Sequence, residues 1–193
     1  MNTGMSLFWL RAQAMLLLVF GQRHAALRRF EAMLALDPSH AYALASRAHV
    51  LSDLHDKPAA IEALQQLVAM HPEGAAAWFN LGFLLDEEGR LDEAVSAFGR
   101  ATELDPKLDR AWYGLGLVLI KQRRFDDAVT ALQRNTELQP LSPYGWYQLA
   151  RVHVDRHEPD EALRIIRRLK GFEPKVAAQL ERETGLRVAQ PVA

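Results

Sequence analysis

Residues 75–108, AAAWFNLGFLLDEEGRLDEAVSAFGRATELDPKL, are answered position for position by residues 109–142, DRAWYGLGLVLIKQRRFDDAVTALQRNTELQPLS. In the first stretch Ala77, Trp78, Leu81, Gly82, Leu84 and Leu85 recur at three- and four-residue intervals, which puts a broad apolar stripe on a helix. Gly89 breaks that helix. A second one, from Leu91, carries Ala94, Val95, Ala97, Phe98 and Ala101 on one side and charges on the other. Asp105-Pro106 ends it, because proline pushes the preceding residue out of the helical region. The small Gly82 and Ala94 predict a close approach of the two helices, since side chains at a contact set helix spacing.

Outward from this pair the register holds along the chain. Pro38, Pro72, Pro106, Pro140 and Pro174 are evenly spaced, and Ala26, Ala60, Ala94, Ala128 and Ala162 keep the same step. A fixed period between roughly 20 and 50 residues marks a stacked architecture, in which each unit buries its apolar face only against its neighbours. Five units follow, 7–40, 41–74, 75–108, 109–142 and 143–176, flanked by an N-terminal tail, 1–6, and a C-terminal segment, 177–193. The fourth position is large (Leu10, Leu44, Trp78, Trp112, Trp146) and the eighth small (Ala14, Ala48, Gly82, Gly116, Ala150). The eleventh is leucine in four units and His153 in the fifth.

These columns resemble the tetratricopeptide repeat family, whose pattern is W-x2-L-G-x2-Y, then A-x3-F, then P in a helix-turn-helix of about 34 residues. WFNLGFLL with AVSAF and WYGLGLVL with AVTAL are close matches, whereas repeats one and two lack the Trp and the Leu-Gly pair. The resemblance implies an all-α fold: a right-handed α-solenoid of five helix-turn-helix repeats with a C-terminal capping helix. The cap is expected near 175–184, with Val176, Ala177 and Leu180 on one side, Gly185 as its C-cap, and a frayed tail from Leu186.

Composition narrows the function classes. A net charge of −1 offers no long-range attraction for nucleic acid, and no aromatic residues interleave the basic cluster Arg164, Arg167, Arg168 and Lys170 to stack bases. That cluster follows Glu158, Asp160 and Glu161, the pattern of a charged outer helix face. The absence of cysteine excludes a disulfide framework; the chain reads as cytoplasmic, with the periplasm left open. Its most apolar stretch, Ala12–Phe20, is too short to span a bilayer.

Enzymatic motifs are missing: no Gly-rich phosphate loop, no G-x-S-x-G, no H-E-x-x-H. No enzyme activity and no cofactor are assigned. His153 and His157 have the spacing to share a metal, but His157 occupies the turn where repeats one and three carry Gly21 and Gly89. No metal site is assigned, and His153 reads as a lone packed histidine.

The resemblance implies instead a concave groove lined by the second, fifth, ninth and twelfth positions of the first helices. Carried over, these give Tyr42, His49, Phe79, Phe83, Arg110, Tyr113, Leu117, Tyr144, Tyr147 and Arg151, with Asn80 alongside. Exposed aromatic surface of this kind marks interaction sites, and Tyr and Arg are enriched among interface anchors. Family members that hold chaperone carboxylate tails use Lys at the fifth and Asn at the ninth position, a pair absent from every repeat here. The expected role is a non-enzymatic adaptor that binds a peptide or helix of another protein. The alternative is a structural subunit of a permanent assembly.

One column breaks. The third position is small wherever a repeat precedes it (Ala43, Ala77, Ala111, Gly145), but repeat one has Trp9. Phe20 stands where repeats three to five have Glu88, Gln122 and Arg156. Two large aromatics at a solenoid end, where a polar cap belongs, predict homodimerisation through repeat one or docking of a partner element, unless residues 1–6 fold back over them.

Overall fold

A computed structural model describes residues 3–188. All regular structure among them is helical. The chain divides into two compact units, residues 1–90 and 91–193. The first holds α1 (Thr3–Val19), α2 (Arg23–Leu36), α3 (Ala41–Asp53), α4 (Lys57–Met70) and α5 (Ala75–Glu87). The second holds α6 (Leu91–Leu104), α7 (Asp109–Lys121), α8 (Phe125–Leu138), α9 (Pro143–Asp155), α10 (Pro159–Lys170) and α11 (Pro174–Thr184).

Within each unit every helix packs on the next in sequence, and α11 packs on both α10 and α9. The alanine ladder lies at the bottom of these contacts: Ala26, Ala60, Ala94, Ala128 and Ala162 are all fully buried. In the first unit Ala14, Ala26, Phe30, Met33, Ala43 and Val50 form one cluster. In the second, a larger cluster runs from Leu119 through Leu132, Leu149 and Ile166 to Leu180 of α11.

The turns explain the period. Gly21, His55, Gly89, Arg123 and His157, which hold the same place in successive repeats, have φ of 70°, 62°, 73°, 59° and 61°. At each, the next amide donates back to the eleventh-position carbonyl, from Gln22 to Leu17 (2.8 Å) through Glu158 to His153 (2.8 Å). The left-handed residue itself donates three residues back, as Gly21 does to Leu18 and Arg123 to Ile120, both at 2.9 Å. Two such bonds, six-to-one and five-to-two, terminate a helix by satisfying carbonyls that have no intrahelical partner.

The proline and tryptophan columns are also one device. The indole nitrogens of Trp78, Trp112 and Trp146 donate to the carbonyl oxygens of Pro72, Pro106 and Pro140 at 2.9, 3.0 and 3.1 Å. Each bond ties the first helix of a repeat to the end of the repeat before. Close approach is enforced by missing side chains: a Cβ on Gly116 would come within 2.7 Å of Leu132. One on Gly145 would overlap the amide oxygen of Asn135, whose Nδ2 donates to the Asp109 carbonyl at 2.9 Å.

Three expectations are corrected. Helix α1 begins at Thr3, so residues 3–6 of the expected N-terminal tail belong to the first helix, and the alternative in which they fold back over Trp9 does not occur. The segment after Gly185 is not frayed at its start: Leu186 and Val188 pack on the second cluster, and the Val188 amide donates to Glu181 Oε1 at 2.8 Å. The remainder of that tail, 189–193, lies outside the described residues. His153 is buried but not alone, since its Nδ1 lies 2.7 Å from Glu158 Oε2, and Arg156 bridges Glu158 (2.9 Å) to Asp126 (3.0 Å).

Candidate functional site

The first helices of each unit border a concavity. In the first unit it measures about 650 Å³ and is walled by Tyr42 and His49 of α3 and by Asn80 and Phe83 of α5. Small residues, Ala45, Ala48, Ala76 and Ala77, line it between these larger side chains, with the buried Leu64, Leu67 and Leu84 alongside. Phe83 is about half exposed (49%), with its ring available to solvent. Phe79 is half-buried and does not line this concavity.

Tyr42 is held by its own fold. The Arg11 guanidinium lies 4.1 Å from its ring centre, Phe30 meets it edge-on at 6.2 Å, and its hydroxyl donates to Met15 Sδ at 3.0 Å. Part of its apolar surface therefore serves to join α1 to α3.

The second unit has a smaller concavity, about 290 Å³, between Tyr113 of α7, Tyr144 and Tyr147 of α9, and Val176 and Gln179 of α11. Tyr144 is 69% exposed, and Arg110 and Arg151 are exposed too, while Tyr113, Leu117 and Tyr147 are half-buried. The Tyr147 hydroxyl donates to Glu183 Oε2 at 2.5 Å, and Gln179 Nε2 donates to Glu183 Oε1 at 2.7 Å. Arg151 Nη1 in turn donates to the Tyr147 oxygen at 3.4 Å. The hydrogen bonds from Tyr147 and Gln179 hold the Glu183 carboxyl below its ordinary range. The bond to Tyr147 raises the Arg151 guanidinium.

Gln179 and Glu183 escaped the sequence reading because α11 is out of register. Tyr144, Tyr147 and Arg151 are matched by Val176, Gln179 and Glu183, each two positions earlier than the repeat period would place it. The reason is local. Helices α2, α4, α6 and α8 have 14 residues, whereas α10 has 12 and is capped by Gly171. Glycine is a poor helix former, and with α10 stopping two residues early the next helix opens at Pro174, three residues before the period would start it. Gly171 is the signal that could have revealed it.

Elsewhere, His157 lies in the left-handed turn and not on the α9 face that carries His153. No group of three or more His, Asp or Glu side chains among the described residues is arranged to hold a metal. Arg168 stacks on Trp146 at 4.3 Å, Arg164 pairs with Glu161 and Lys170 with Glu181, so much of the basic cluster is engaged within its own unit. No helix among the described residues is long and apolar enough to cross a membrane.

At the patch expected near the N-terminus, Trp9 and Phe20 are 59% and 69% exposed. Trp9 meets Phe8 edge-on at 5.8 Å and borders a hollow of about 380 Å³ with Met5, Leu10 and Leu36.

No curated protein matches the chain in sequence. Among solved structures, it is similar to MamA (TM-score 0.83, 21% identity, covering 97% of this chain and 100% of that one). It is also similar to YrrB, a TPR protein described as having an unusual peptide-binding site (0.77, 20% identity, 88% of each chain). A third is PilF of Pseudomonas aeruginosa (0.66, 22%, 94% of this chain and 91% of that one). At these identities the likeness speaks for the fold. The tetratricopeptide repeat model matches residues 46–109, 84–143 and 113–177, the stretches in which the tryptophan–proline bonds and left-handed turns recur. The chain therefore belongs to the tetratricopeptide repeat family.

Proposed function

We propose that this protein is a non-catalytic adaptor that holds a peptide or helical segment of another protein against the concave faces of its first helices. A fold of this family supports a protein-interaction role, and YrrB, which is similar in fold, is described as having a peptide-binding site. The observation that carries the reading is the wall of each concavity. Phe83 and Tyr144 present exposed aromatic surface, with Asn80 lining the first concavity and Gln148 and Gln179 the second. Aromatic anchors at low entropy cost next to a few directional polar groups are what a recognition surface needs.

The contacts also refine which residues to test. Tyr147 bonds to Glu183 and Tyr42 to Met15, so removing either disturbs the fold as well as the surface. Phe83 and Tyr144 are cleaner. The experiment is affinity capture with wild type and a Phe83→Ala, Tyr144→Ala variant, compared by quantitative mass spectrometry. A partner should be retained by wild type and lost by a variant of equal helicity and melting temperature. Identical capture by both proteins would remove the concave faces as the site.

A further inference from the structure

Helix α1 is apolar on both sides, yet its own unit covers only one. Leu7, Leu10, Ala14, Leu17 and Leu18 face the first-unit cluster. On the far side Met5, Trp9, Leu16, Val19 and Phe20, together with Leu36 of α2, are between 47% and 78% exposed. A helix that is hydrophobic all round belongs in an interior, so this face lacks a neighbour.

What would cover it is constrained by charge, spacing and area. Arg11 is the one charged residue in Thr3–Val19, and its guanidinium is turned away over the Tyr42 ring. Helix α1 itself therefore offers a charged partner nothing to pair with. A lipid surface normally draws on a strongly charged polar face rich in Lys and Arg, and this helix does not have one. Met5, Trp9, Ala12, Leu16 and Val19 follow one another at steps of four, three, four and three, the spacing of a two-helix seam. The small residue is central. If a second copy of the helix crosses antiparallel at Ala12, Met5 meets the second copy's Val19 and Trp9 its Leu16. The two helices then approach most closely where the side chains are smallest. Such a twofold contact is self-complementary. Two aromatics and four aliphatics at this exposure offer on the order of 700 Å², close to the ~800 Å² per partner of a standard interface.

We propose that the exposed face of α1 is a dimerisation surface occupied by α1 of a second copy, antiparallel and centred on Ala12. This goes beyond the adaptor reading and leaves both concavities free.

The test uses the full chain, which has no native cysteine. Sedimentation equilibrium should give twice the 21.8 kDa chain mass at micromolar concentrations. A Trp9→Glu, Leu16→Glu variant, altered only at exposed side chains, should keep its helicity and fall to the single-chain mass. In separate single variants, Ala12→Cys should oxidise to a disulfide-linked dimer, because the two thiols meet at the axis, whereas Met5→Cys should not. A wild type that is monomeric at every concentration, including one that binds phosphatidylcholine–phosphatidylglycerol vesicles instead, would overturn the proposal. So would a dimer that survives the double substitution, or Met5→Cys crosslinking as readily as Ala12→Cys.

Discussion

The indole nitrogen of Trp112 donates to the carbonyl oxygen of Pro106 at 3.0 Å, and the same bond joins Trp146 to Pro140 at 3.1 Å. The proline ends one repeat and the tryptophan opens the next, so the bond fixes the step between them. Trp112→Phe keeps most of the apolar contact and removes the donor. It should cost about 1 kcal/mol, read as a lower denaturant midpoint with an unchanged m-value.

The alanine ladder sets a harsher test. Ala128 is fully buried in the second-unit cluster, so Ala128→Asp forces a carboxylate into a tight helix contact with no partner. A loss of about 4 kcal/mol or more is expected, read as a large drop in melting temperature. Unchanged thermal melting would contradict the packing.

Arg123 occupies the left-handed turn at φ 59° with a side chain that gains nothing from that conformation beyond a distant approach to Phe125 at 5.9 Å. Repeats one and three use glycine at the same place. Arg123→Gly should stabilise the protein by about 0.5–1 kcal/mol, the left-handed penalty of a non-glycine residue less the added entropy of the unfolded chain. Thermal denaturation measures it.

Much of the fold was legible because two covalently simple residues, proline and alanine, must recur wherever helices stop and touch. The turn was half legible. Gly21 and Gly89 announce a positive φ, but His55, Arg123 and His157 adopt it without glycine, held by the amide-to-carbonyl bonds that follow. The contribution of α11 to the second concavity was not legible from the period, because Gly171 shortens α10 and breaks the register. Nor did polarity alone reveal that His153 shares Glu158 with Arg156, since that network depends on where the turn points.

Two glutamates tie α11 down. Glu181 is depressed by its bond from Lys170 and by the Val188 amide, Glu183 by bonds from Tyr147 and Gln179. A carboxylate whose folded value lies below its unfolded one contributes stability that is full above the unfolded value, near about pH 4.3, and is lost as pH falls through the folded value. Both groups are solvent-accessible, so the effect is modest. Melting temperature should fall on acidification below about pH 4 more steeply in wild type than in a Glu181→Gln, Glu183→Gln variant. Parallel curves would show that these bonds do not anchor the helix.

The most direct test of the interaction role is hydrogen–deuterium exchange on the protein alone and bound to the partner it captures. Protection should appear on α3 and α5 around Phe83 and on α7, α9 and α11 around Tyr144, and it should be absent from the Phe83→Ala, Tyr144→Ala variant. Protection confined to the second helices α2, α4, α6, α8 and α10, with the concave faces unchanged, would contradict the account.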